Sequence, residues 1–513
     1  MNKRQLETDP LDPLDPLDPH DPIEPEEDEE DRLHLWGCQY FLEELFQTTQ
    51  NQLFTPDQKL IVSDCLMTLS KTLKNRVLSL SSFRAGQVIF KHSMRRFWQS
   101  CQPDPILHPL LLSYLRLILD TNHQIRMDSE ETHLLVSLFS KEFVAETMCQ
   151  LIQVGLLHFP YKKFHVSVPR DQLFHNIMTR KLIESEASIF LRLAQPKLRS
   201  FFNYRFHGHF LTLISSDDDY HMAEVLTDLY QEECRIKAQR RGQVGSLYDL
   251  WKTDPNHQLQ EIIQGILEKD QPLHAKELRE ALYHELGYLE CTTFKPILSR
   301  EMMDRFQATR VLDFSAGWGD RLLGALACPS VTRYVGYDPN HDLEKGHQAM
   351  VQNFGRPEIQ VSMIYQPFEN ANVPDEMFDL ILTSPPFFDL ESYTTMLGQS
   401  IQSFPRYEDW LVKFLCASIQ KAWSHLSLGG HLVIYLSDSV IQGPSACEVM
   451  NLFIESHLEG AQYQGVIAFR GQADTPRPMW IWKRDNVTSS RKCKAESLGK
   501  KFYPEIWRNF LLI

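Results

Sequence analysis

The sequence lacks the cysteine spacing and the long apolar runs that mark several classes of protein. Its ten cysteines are scattered and none forms a CxxC pair, so zinc spacing is absent and a disulfide framework is not expected in a 513-residue chain. No stretch approaches the roughly 18 apolar residues of a membrane span. The opening segment MNKRQLETDP has no apolar run of the kind found in secretory signals. We therefore expect an intracellular protein, cytoplasmic or nuclear and not secreted, without a metal or membrane partner.

Positive charge is also scarce, and the deficit is concentrated at the N-terminus. The chain has 52 Lys and Arg against 67 Asp and Glu, and residues 1–32 alone hold thirteen acidic and three basic side chains. This segment repeats Leu-Asp-Pro and then becomes an acidic run, in which proline blocks helix and the carboxylates repel one another. We predict that residues 1–32 form a disordered tail. The remaining chain is close to neutral, which leaves nucleic acid open as a partner.

The length and the 43% of hydrophobic residues predict two or three domains with a sizeable core. Over residues 33–270 apolar positions recur every three or four residues, which predicts a helical accessory domain. Over residues 271–485 seven short apolar runs are mostly separated by amphipathic helical stretches, a pattern typical of a mostly parallel α/β sheet. The last two runs have no helix between them and should form an antiparallel hairpin at one edge. Residues 486–513 are predicted to be a basic C-terminal extension.

The first strand of this α/β region ends in a glycine-containing loop at residues 313–319, ahead of a helix. In open α/β sheets, ligands lie at the carboxyl ends of strands, beside this turn. The dinucleotide fingerprint GxGxxG would need a third glycine where Leu322 stands, and no GK[ST] follows, so a nicotinamide site and a P-loop are excluded. Asp338 ends the second strand, where an acidic residue can accept hydrogen bonds from ribose hydroxyls. Taken alone, Asp313 or Asp338 could instead cap a helix.

The fourth apolar run leads directly into Ser384-Pro385-Pro386-Phe387. Prolines lack N–H donors, so the serine hydroxyl and the backbone carbonyls offer acceptors to a substrate amino group. Phe387 offers a flat face on which a planar group can stack. An exocyclic amine is a poor nucleophile because its lone pair is conjugated into the ring. Hydrogen bonds that draw its protons out of the ring plane would localise that lone pair towards an incoming methyl group.

Together these residues resemble the S-adenosylmethionine-dependent amino-methyltransferases, which modify N6 of adenine or N4 of cytosine in DNA and have relatives that act on RNA or on protein amides. The resemblance covers about residues 285–485 and implies a Rossmann-like methyltransferase sheet with S-adenosylmethionine as cofactor. The family's catalytic (D/N/S)PP(Y/F) motif corresponds to Ser384, Pro385, Pro386 and Phe387. The cofactor contacts implied by the resemblance are Phe294, Asp313, Ser315, Gly317, Gly319, Asp338 and Phe368.

The resemblance implies methyl transfer to an exocyclic amino group of a nucleobase, with DNA as the first expectation, at cytosine N4 or adenine N6. Thr-Ser-Pro-Pro is commoner among cytosine-N4 enzymes, which favours cytosine only weakly. The alternatives are an RNA base, a protein side-chain amide, or a non-catalytic scaffold that binds the cofactor. Glycine loop and catalytic motif lie about 70 residues apart, which leaves no room for an inserted recognition domain. Target recognition must therefore come from elsewhere in the chain.

Further residues are candidates for substrate contact. Phe388 and Tyr393 follow the motif in a long loop and could stack on a base, or be buried beneath the loop. Basic residues next to aromatic ones suit contact with nucleic acid, although such runs are usually solvated faces. Two such stretches occur: Arg235, Lys237, Arg240 and Arg241, and, with Trp482 and Phe502 among them, Lys483, Arg484, Arg491, Lys492, Lys494, Lys500 and Lys501. His207 and His209 have no partnering ligands nearby in the sequence, so no metal site is predicted.

Overall fold

The computed structural model describes residues 27–50, 55–74, 80–104, 107–120, 122–186, 211–215, 221–243, 245–254, 257–269, 272–288, 290–291, 293–394, 398–438, 443–470, 477–487 and 492–510. The chain forms two compact units. The smaller comprises Met1–Asp120, Ile125–Leu151 and Asp270–Pro272, and the larger comprises Thr121–Gln124, Ile152–Lys269 and Leu273–Ile513. The boundary predicted at residue 270 therefore differs from the one in the structure, because most of residues 152–269 belong with the sheet. None of the described helices is both long and apolar enough to cross a bilayer.

The smaller unit is built from helices. Its elements are α1 (Glu27–Gln50), α2 (Pro56–Lys74), α3 (Leu80–Gln99), α4 (His108–Leu117), β1 (Arg126–Met127), α5 (Ser129–Phe139) and most of α6 (Lys141–Gln153). In α1 the fully buried positions Leu35, Cys38, Leu42 and Leu45 follow helical spacing, which gives the helix one apolar face. The predicted disordered tail is wrong for Glu27 onwards, which already lies in α1. The Leu-Asp-Pro repeat lies outside the described residues.

The larger unit combines one large sheet with helices. Its strands are β2 (Ile183–Glu186), β3 (Leu211–Ser215), β4 (Gln239–Arg240), β5 (Leu273–His274), β6 (Arg310–Asp313), β7 (Arg333–Tyr337), β8 (Gln360–Ile364), β9 (Phe378–Thr383), β10 (Glu391–Ser392), β11 (Leu426–Tyr435), β12 (Ala461–Arg470) and β13 (Arg477–Arg484). Its helices are α7 (Arg170–Thr179), α8 (His221–Arg235), α9 (Leu247–Thr253), α10 (Gln258–Glu268), α11 (Ala275–Leu286), α12 (Pro296–Arg305), α13 (Asp320–Ala327), α14 (Glu344–Phe354), α15 (Ser400–Ser403), α16 (Tyr407–Asp409), α17 (Ala417–Ser424), α18 (Ala446–His457), α19 (Lys492–Phe502) and α20 (Pro504–Asn509). A π-helix (Trp410–Cys416) joins α16 to α17, and short 3-10 turns lie at Lys162–Phe164 and His341–Leu343.

The large sheet has the strand order β2-β3-β12-β13-β11-β9-β6-β7-β8. Strands β6, β7, β8, β9 and β11 run parallel, and β13 runs antiparallel to both β11 and β12. The predicted seven-stranded, mostly parallel Rossmann-like sheet with an antiparallel hairpin is therefore confirmed.

The hairpin does not form the edge of the sheet. Strand β3 pairs parallel with β12, and β2 pairs antiparallel with β3. Both strands come from residues 183–215, which the sequence analysis assigned to a helical domain. An exposed edge of β12 would present unpaired N–H and C=O groups, and β3 covers it, with β2 in turn pairing with β3. The partner of β3 lies more than two hundred residues away along the chain, so local sequence patterns give no sign of this pairing.

Side chains from the central strands alternate between two apolar cores, because successive residues of a strand point to opposite faces of the sheet. Leu312, Val335 and Ile381 belong to one core, whereas Val311 and Leu380 belong to the other. The parallel strands are thus covered on both faces. This arrangement leaves the carboxyl ends of the strands as the place where loops can form a ligand site.

Helices α19 and α20 complete one of these cores. Ile506, Trp507 and Phe510 are buried in it, and the Tyr503 hydroxyl donates a 2.7 Å hydrogen bond to Glu448. The predicted separate basic extension over residues 486–513 therefore does not hold for the described part of that range. Its apolar residues pack on the sheet unit, while Lys500 and Lys501 remain exposed.

Gly499 allows α19 to approach Trp507 closely, since a Cβ atom there would lie 2.2 Å from the indole ring. We expect Gly499→Ala to lower the free energy of unfolding by about 1–3 kcal/mol, the usual effect of overpacking. Gly265 in α10 is the matched control, because a Cβ there meets nothing within 4 Å. Gly265→Ala should be neutral or stabilise by up to about 1 kcal/mol. Urea denaturation of both variants checks this pair, and equal shifts in the midpoint would contradict the packing described here.

Candidate functional site

A large pocket opens at the carboxyl ends of the central strands and encloses about 1180 Å³ of space, counting its open mouth. It lies where the first glycine loop, the end of β7 and the segment after β9 come together. Eleven of the residues proposed from the sequence line it: Phe294, Ser315, Gly317, Asp338, Phe368, Ser384, Pro385, Pro386, Phe387, Phe388 and Tyr393. The structure thus brings the candidate cofactor loop and the candidate catalytic motif to one cavity.

Asp313 and Gly319, also proposed as cofactor contacts, do not line the pocket. Asp313 is fully buried beneath the loop, where it accepts hydrogen bonds from Arg321 (2.6 Å) and from the Tyr334 hydroxyl (2.9 Å). Gly319 has φ +93°, and a Cβ there would lie 2.8 Å from the Met350 sulfur. Asp313 therefore holds the loop in shape, and Gly319 lets the loop pack against α14.

The glycine loop is fixed to the end of β7. The Gly317 N–H donates a 2.9 Å hydrogen bond to Asp338, and the Gly317 carbonyl lies 3.0 Å from Nε2 of His347. Burial lowers the pKa of His347 to about 4, so its ring is neutral at physiological pH. A neutral ring with a proton on Nε2 donates to that carbonyl. The loop backbone is thereby held in place on both of its polar groups.

Two carboxyl groups with raised pKa values line this part of the pocket. Burial raises the pKa of Asp338 to about 6, against the opposing effect of hydrogen bonds from the Asn340 and Gly317 backbone. Burial also raises the pKa of Asp320 to about 7, and the Thr227 hydroxyl donates a 2.7 Å hydrogen bond to that carboxyl. Asp338 is mostly ionised at physiological pH, and it directly follows β7, where a ribose acid was expected.

Aromatic rings form two walls of the pocket. Phe368 stacks on Phe314 with ring centroids 5.3 Å apart and meets Tyr337 edge-on at 4.9 Å. Phe294 meets Tyr435 edge-on at 5.2 Å. Both rings are almost fully buried by the protein, so their positions are set by packing. Flat apolar surfaces held in this way suit the faces of a planar heterocycle.

The Ser-Pro-Pro-Phe segment follows β9 directly, and all four residues line the pocket. In the part of the chain that the structure describes, no hydrogen-bond partner is found for the Ser384 hydroxyl, and the cavity that Ser384 lines has both polar and apolar groups. Phe388, next in sequence, adopts φ +53°, a conformation that non-glycine residues seldom take. Its ring packs against Tyr407 (5.0 Å) and Trp410 (5.8 Å). This backbone reversal sets the direction in which the chain leaves the motif.

The loop after the motif is held by residues from the N-terminal half of the chain. Strand β10 pairs antiparallel with β4, so Glu391 lies opposite Arg240. Arg241 forms a 2.7 Å ion pair with Asp389. The Tyr393 hydroxyl donates a 2.9 Å hydrogen bond to Glu391. The loop predicted as irregular therefore contains a strand.

The arginines of the first basic stretch are engaged by carboxylates, whereas Lys237 is exposed. Arg235 is buried and donates hydrogen bonds to Asp228 (2.7 Å) and Glu290 (2.6 Å), so the interpretation of it as a phosphate contact is wrong. Arg240 and Arg241 face carboxylates of the loop after the motif. Charge and spacing in the sequence cannot distinguish a buried ion-pair network from an exposed basic patch.

Only some residues of the second basic stretch are exposed, as contact with nucleic acid would require. Trp482 is fully buried and donates a 2.9 Å hydrogen bond to Asn451, so it cannot stack on a base. Arg484 donates a 3.1 Å hydrogen bond to the Trp423 carbonyl. Phe502 is exposed, with the Lys501 ammonium 5.2 Å from its ring centre. Arg491 lies outside the described residues.

Several pocket residues were missed from the sequence. They include Trp318, Asp320, Glu391, Tyr435 and Arg477. Trp318 stands inside the glycine loop, Asp320 begins the helix that follows it, and Tyr435 ends the fifth parallel strand, so their positions could have been inferred. Arg477 begins an antiparallel strand, and Glu391 needed the pairing of β10 with β4, which no local pattern signals.

A metal centre is not indicated. Within the described ranges, no three His, Cys, Asp or Glu side chains are grouped so that they could hold a metal ion. His207 and His209 fall outside those ranges.

Comparisons with known proteins give a weak likeness to methyltransferases. No family model and no curated protein matches the chain. Among solved structures, an rRNA methylase from Streptococcus thermophilus is 14% identical with a TM-score of 0.27, covering 38% of this chain and 99% of its own. TrmN from Thermus thermophilus is 12% identical with a TM-score of 0.28, covering 42% and 67%. The O-methyltransferase TomG from Streptomyces achromogenes, in complex with SAM, is 13% identical with a TM-score of 0.27, covering 40% and 86%. At these TM-scores the likeness carries no argument, so function must be argued from the site's own side chains.

Proposed function

We propose that this protein transfers a methyl group from S-adenosylmethionine to an exocyclic amino group of a nucleobase, with DNA as the first substrate. The observation that carries the proposal is the common pocket of Asp338 and Ser384-Pro385-Pro386-Phe387. It joins a carboxylate suited to ribose hydroxyls to a set of acceptors and an aromatic face suited to a planar amine. S-adenosylmethionine supplies an electrophilic methyl group on a sulfonium sulfur.

The residues around the glycine loop fit this cofactor. Asp338 would accept hydrogen bonds from the ribose hydroxyls, and Phe368 would pack against the adenine ring. Glu369 also lines the pocket, and its buried Oε1 has no hydrogen-bond partner among the residues that the structure describes. A buried acceptor left unpaired is costly, so a donor from a ligand would be favoured there. The adenine amino group is such a donor, which supports the assignment.

The motif residues would activate the target amine. The Ser384 hydroxyl and the carbonyls beside Pro385 and Pro386 would accept the protons of the amine and localise its lone pair. These acceptors also stabilise positive charge that develops on the nitrogen as the methyl group is transferred. Phe387 would stack on the base and set its plane. Alignment of the two reactants in one pocket supplies the rest of the rate enhancement.

Cofactor binding should depend on the ionisation of Asp338. Its raised pKa of about 6 means that the charged, accepting form prevails above that pH and is lost below it. We expect the affinity for S-adenosylmethionine to fall by roughly tenfold per pH unit below pH 6, as for one linked proton. Calorimetric titration between pH 5 and pH 8 measures this. Asp338→Asn cannot ionise, so this variant should lose the pH dependence near pH 6. An unchanged profile in this variant would contradict the assignment.

A nucleobase as the substrate is supported by three aromatic lining residues that follow β9: Phe387 of the motif, Phe388 next to it, and Phe414 of the π-helix. Base-modifying enzymes take the target base out of the helix into such a pocket. An RNA base, a protein amide and a non-catalytic scaffold are the outcomes that the experiment must separate.

The test is mass spectrometry of nucleosides after the purified protein has been incubated with S-adenosylmethionine and either DNA or RNA. Ser384→Ala and Pro386→Ala variants run alongside. Methylated cytosine or adenine from DNA, absent with the variants, supports the proposal. If methylated cytosine or adenine is found only in RNA, the substrate in the proposal becomes RNA and not DNA. Methylation of protein amides, or cofactor binding without turnover on any of these polymers, would overturn it.

A further inference from the structure

The charged side chains of the pocket are unevenly distributed. Asp320, Asp338 and Glu369 follow β6, β7 and β8, which form one side of the sheet. Ser384 follows β9, Tyr435 ends β11, and the neighbouring antiparallel strand β13 begins the other side. Of the four acidic lining residues that the structure describes, three therefore lie on the side proposed for the cofactor. The fourth, Glu391, follows the motif and accepts a hydrogen bond from the Tyr393 hydroxyl.

Among the described residues, Arg321 and Arg477 are the two cationic side chains that line the pocket. Arg321 is neutralised by Asp313, with a 2.6 Å ion pair. Arg477 has no carboxylate within 4 Å among the residues that the structure describes. It is half-buried at the start of β13, and its guanidinium lies beside the Tyr435 hydroxyl, whose pKa it lowers against the raising effect of burial.

The strand register places Arg477 on the acceptor side. In β11, Tyr435 pairs with Met479 of β13, two residues after Arg477, and Ile434 pairs with Thr383 at the end of β9. Arg477 and Ser384 therefore flank the end of β11 at the same edge of the sheet. A base held at Ser384 would bring its own sugar and phosphate to the neighbourhood of that edge.

We propose that Arg477, oriented by Tyr435, binds a backbone phosphate next to the target base. This inference rests on the proposed function and deepens it, since it makes the acceptor a nucleotide in a polymer and not an amide of a protein. Guanidinium groups match phosphate geometry with paired N–H donors, and a half-buried cation without a carboxylate favours an anionic ligand. Tyr435 is a positioning residue, because it acts through Arg477.

The test uses equilibrium binding of a fluorescent oligonucleotide to the full chain in the presence of S-adenosylhomocysteine, so it does not depend on turnover. We expect Arg477→Gln to weaken binding about 10- to 100-fold, the loss typical of a charged hydrogen bond. The slope of log affinity against log salt should become shallower by about one, as for one phosphate contact. Arg477→Lys should recover part of the affinity but not all of it, and Tyr435→Phe should give a smaller loss. Arg508→Gln, at an exposed arginine outside the pocket, should match the unmodified protein.

Separate ligands identify the source of the phosphate. If Arg477→Gln weakens the binding of a nucleoside monophosphate as much as it weakens the binding of the oligonucleotide, the site takes a free nucleotide and the polymer proposal is overturned. If Arg477→Gln weakens the binding of S-adenosylhomocysteine as much as the binding of the oligonucleotide, the residue binds the cofactor's carboxylate instead. An unchanged salt slope in all Arg477 variants would also overturn the proposal. Failure of methyl transfer with intact, Arg477-dependent binding would remove only the proposed catalysis.

Discussion

Replacing Asp338 with alanine is expected to weaken binding of S-adenosylmethionine at least about 100-fold. Two ribose hydroxyls would lose hydrogen bonds to a charged acceptor, and each such bond contributes roughly 1.5–3 kcal/mol. The backbone N–H groups of Gly317 and Asn340 also donate hydrogen bonds to Asp338. They would lose their acceptor, so the glycine loop would be held less firmly. Isothermal titration calorimetry of the cofactor measures the loss directly.

Asp342→Ala is the matched control for this change. Asp342 is an exposed carboxylate in the same turn and does not line the pocket. Its removal should leave the affinity for the cofactor within about twofold, as for most exposed positions. Equal losses in the two variants would mean that general charge or stability of this turn governs binding, and the ribose assignment would be lost.

Ser384→Ala is expected to lower kcat by about 100- to 1,000-fold. This range follows from the removal of one preorganised polar group that stabilises charge in a transition state. The serine hydroxyl lies in the pocket without a hydrogen-bond partner in the described ranges, so its loss should disturb the fold little. The affinity for S-adenosylmethionine should remain within about threefold, because a contact specific to the transition state affects kcat and not ground-state binding.

Ser403→Ala controls for the loss of a hydroxyl near the same loop, since Ser403 is exposed and outside the pocket. Its kcat should equal that of the unmodified protein. Single-turnover rates of methyl transfer for the three proteins separate chemistry from product release. A Ser384→Ala variant with undiminished single-turnover rate would remove the serine from the proposed mechanism.

The seven predicted strands of the sheet could be found from the sequence because local patterns of apolar residues indicate them. Most of the seven runs are short buried segments bounded by turn residues, β8 being the partly exposed one, and the amphipathic stretches between most of them give the parallel order. Strands β2 and β3 escaped prediction since they owe their structure to a distant partner at the edge of β12. Local propensity is overridden by tertiary pairing in such cases.

The candidate site was predictable in its glycine loop and motif but not in the roles of individual residues. Asp313 and Asp338 both end parallel strands, yet Asp313 is enclosed by Arg321 and Tyr334 while Asp338 lines the pocket. Spacing alone cannot tell an acid that supports a loop from one that faces a ligand. Arg235 shows the same limit of sequence-based prediction. Its charge predicts an exposed residue, and only the structure shows that it is paired with Asp228 and Glu290.

The N-terminal half is not the separate helical accessory domain that the sequence predicted over residues 33–270. Part of it, residues 152–269, belongs to the same compact unit as the sheet and supplies Thr227 to Asp320 and β4 to the loop after the motif. Its removal as a block would therefore damage the pocket as well as any surface that recognises a target. Substitutions at single positions are the appropriate way to study recognition in this protein.

The most direct test of the central claim is the position of the transferred methyl group. The protein is incubated with DNA or RNA and S-adenosylmethionine carrying a trideuterated methyl group, and the nucleosides are analysed by fragmentation in a mass spectrometer. The account predicts the label on the exocyclic nitrogen of cytosine or adenine, and its loss with Ser384→Ala. Label on a ring carbon or on a ribose oxygen, or label that is unaffected by Ser384→Ala, would contradict it.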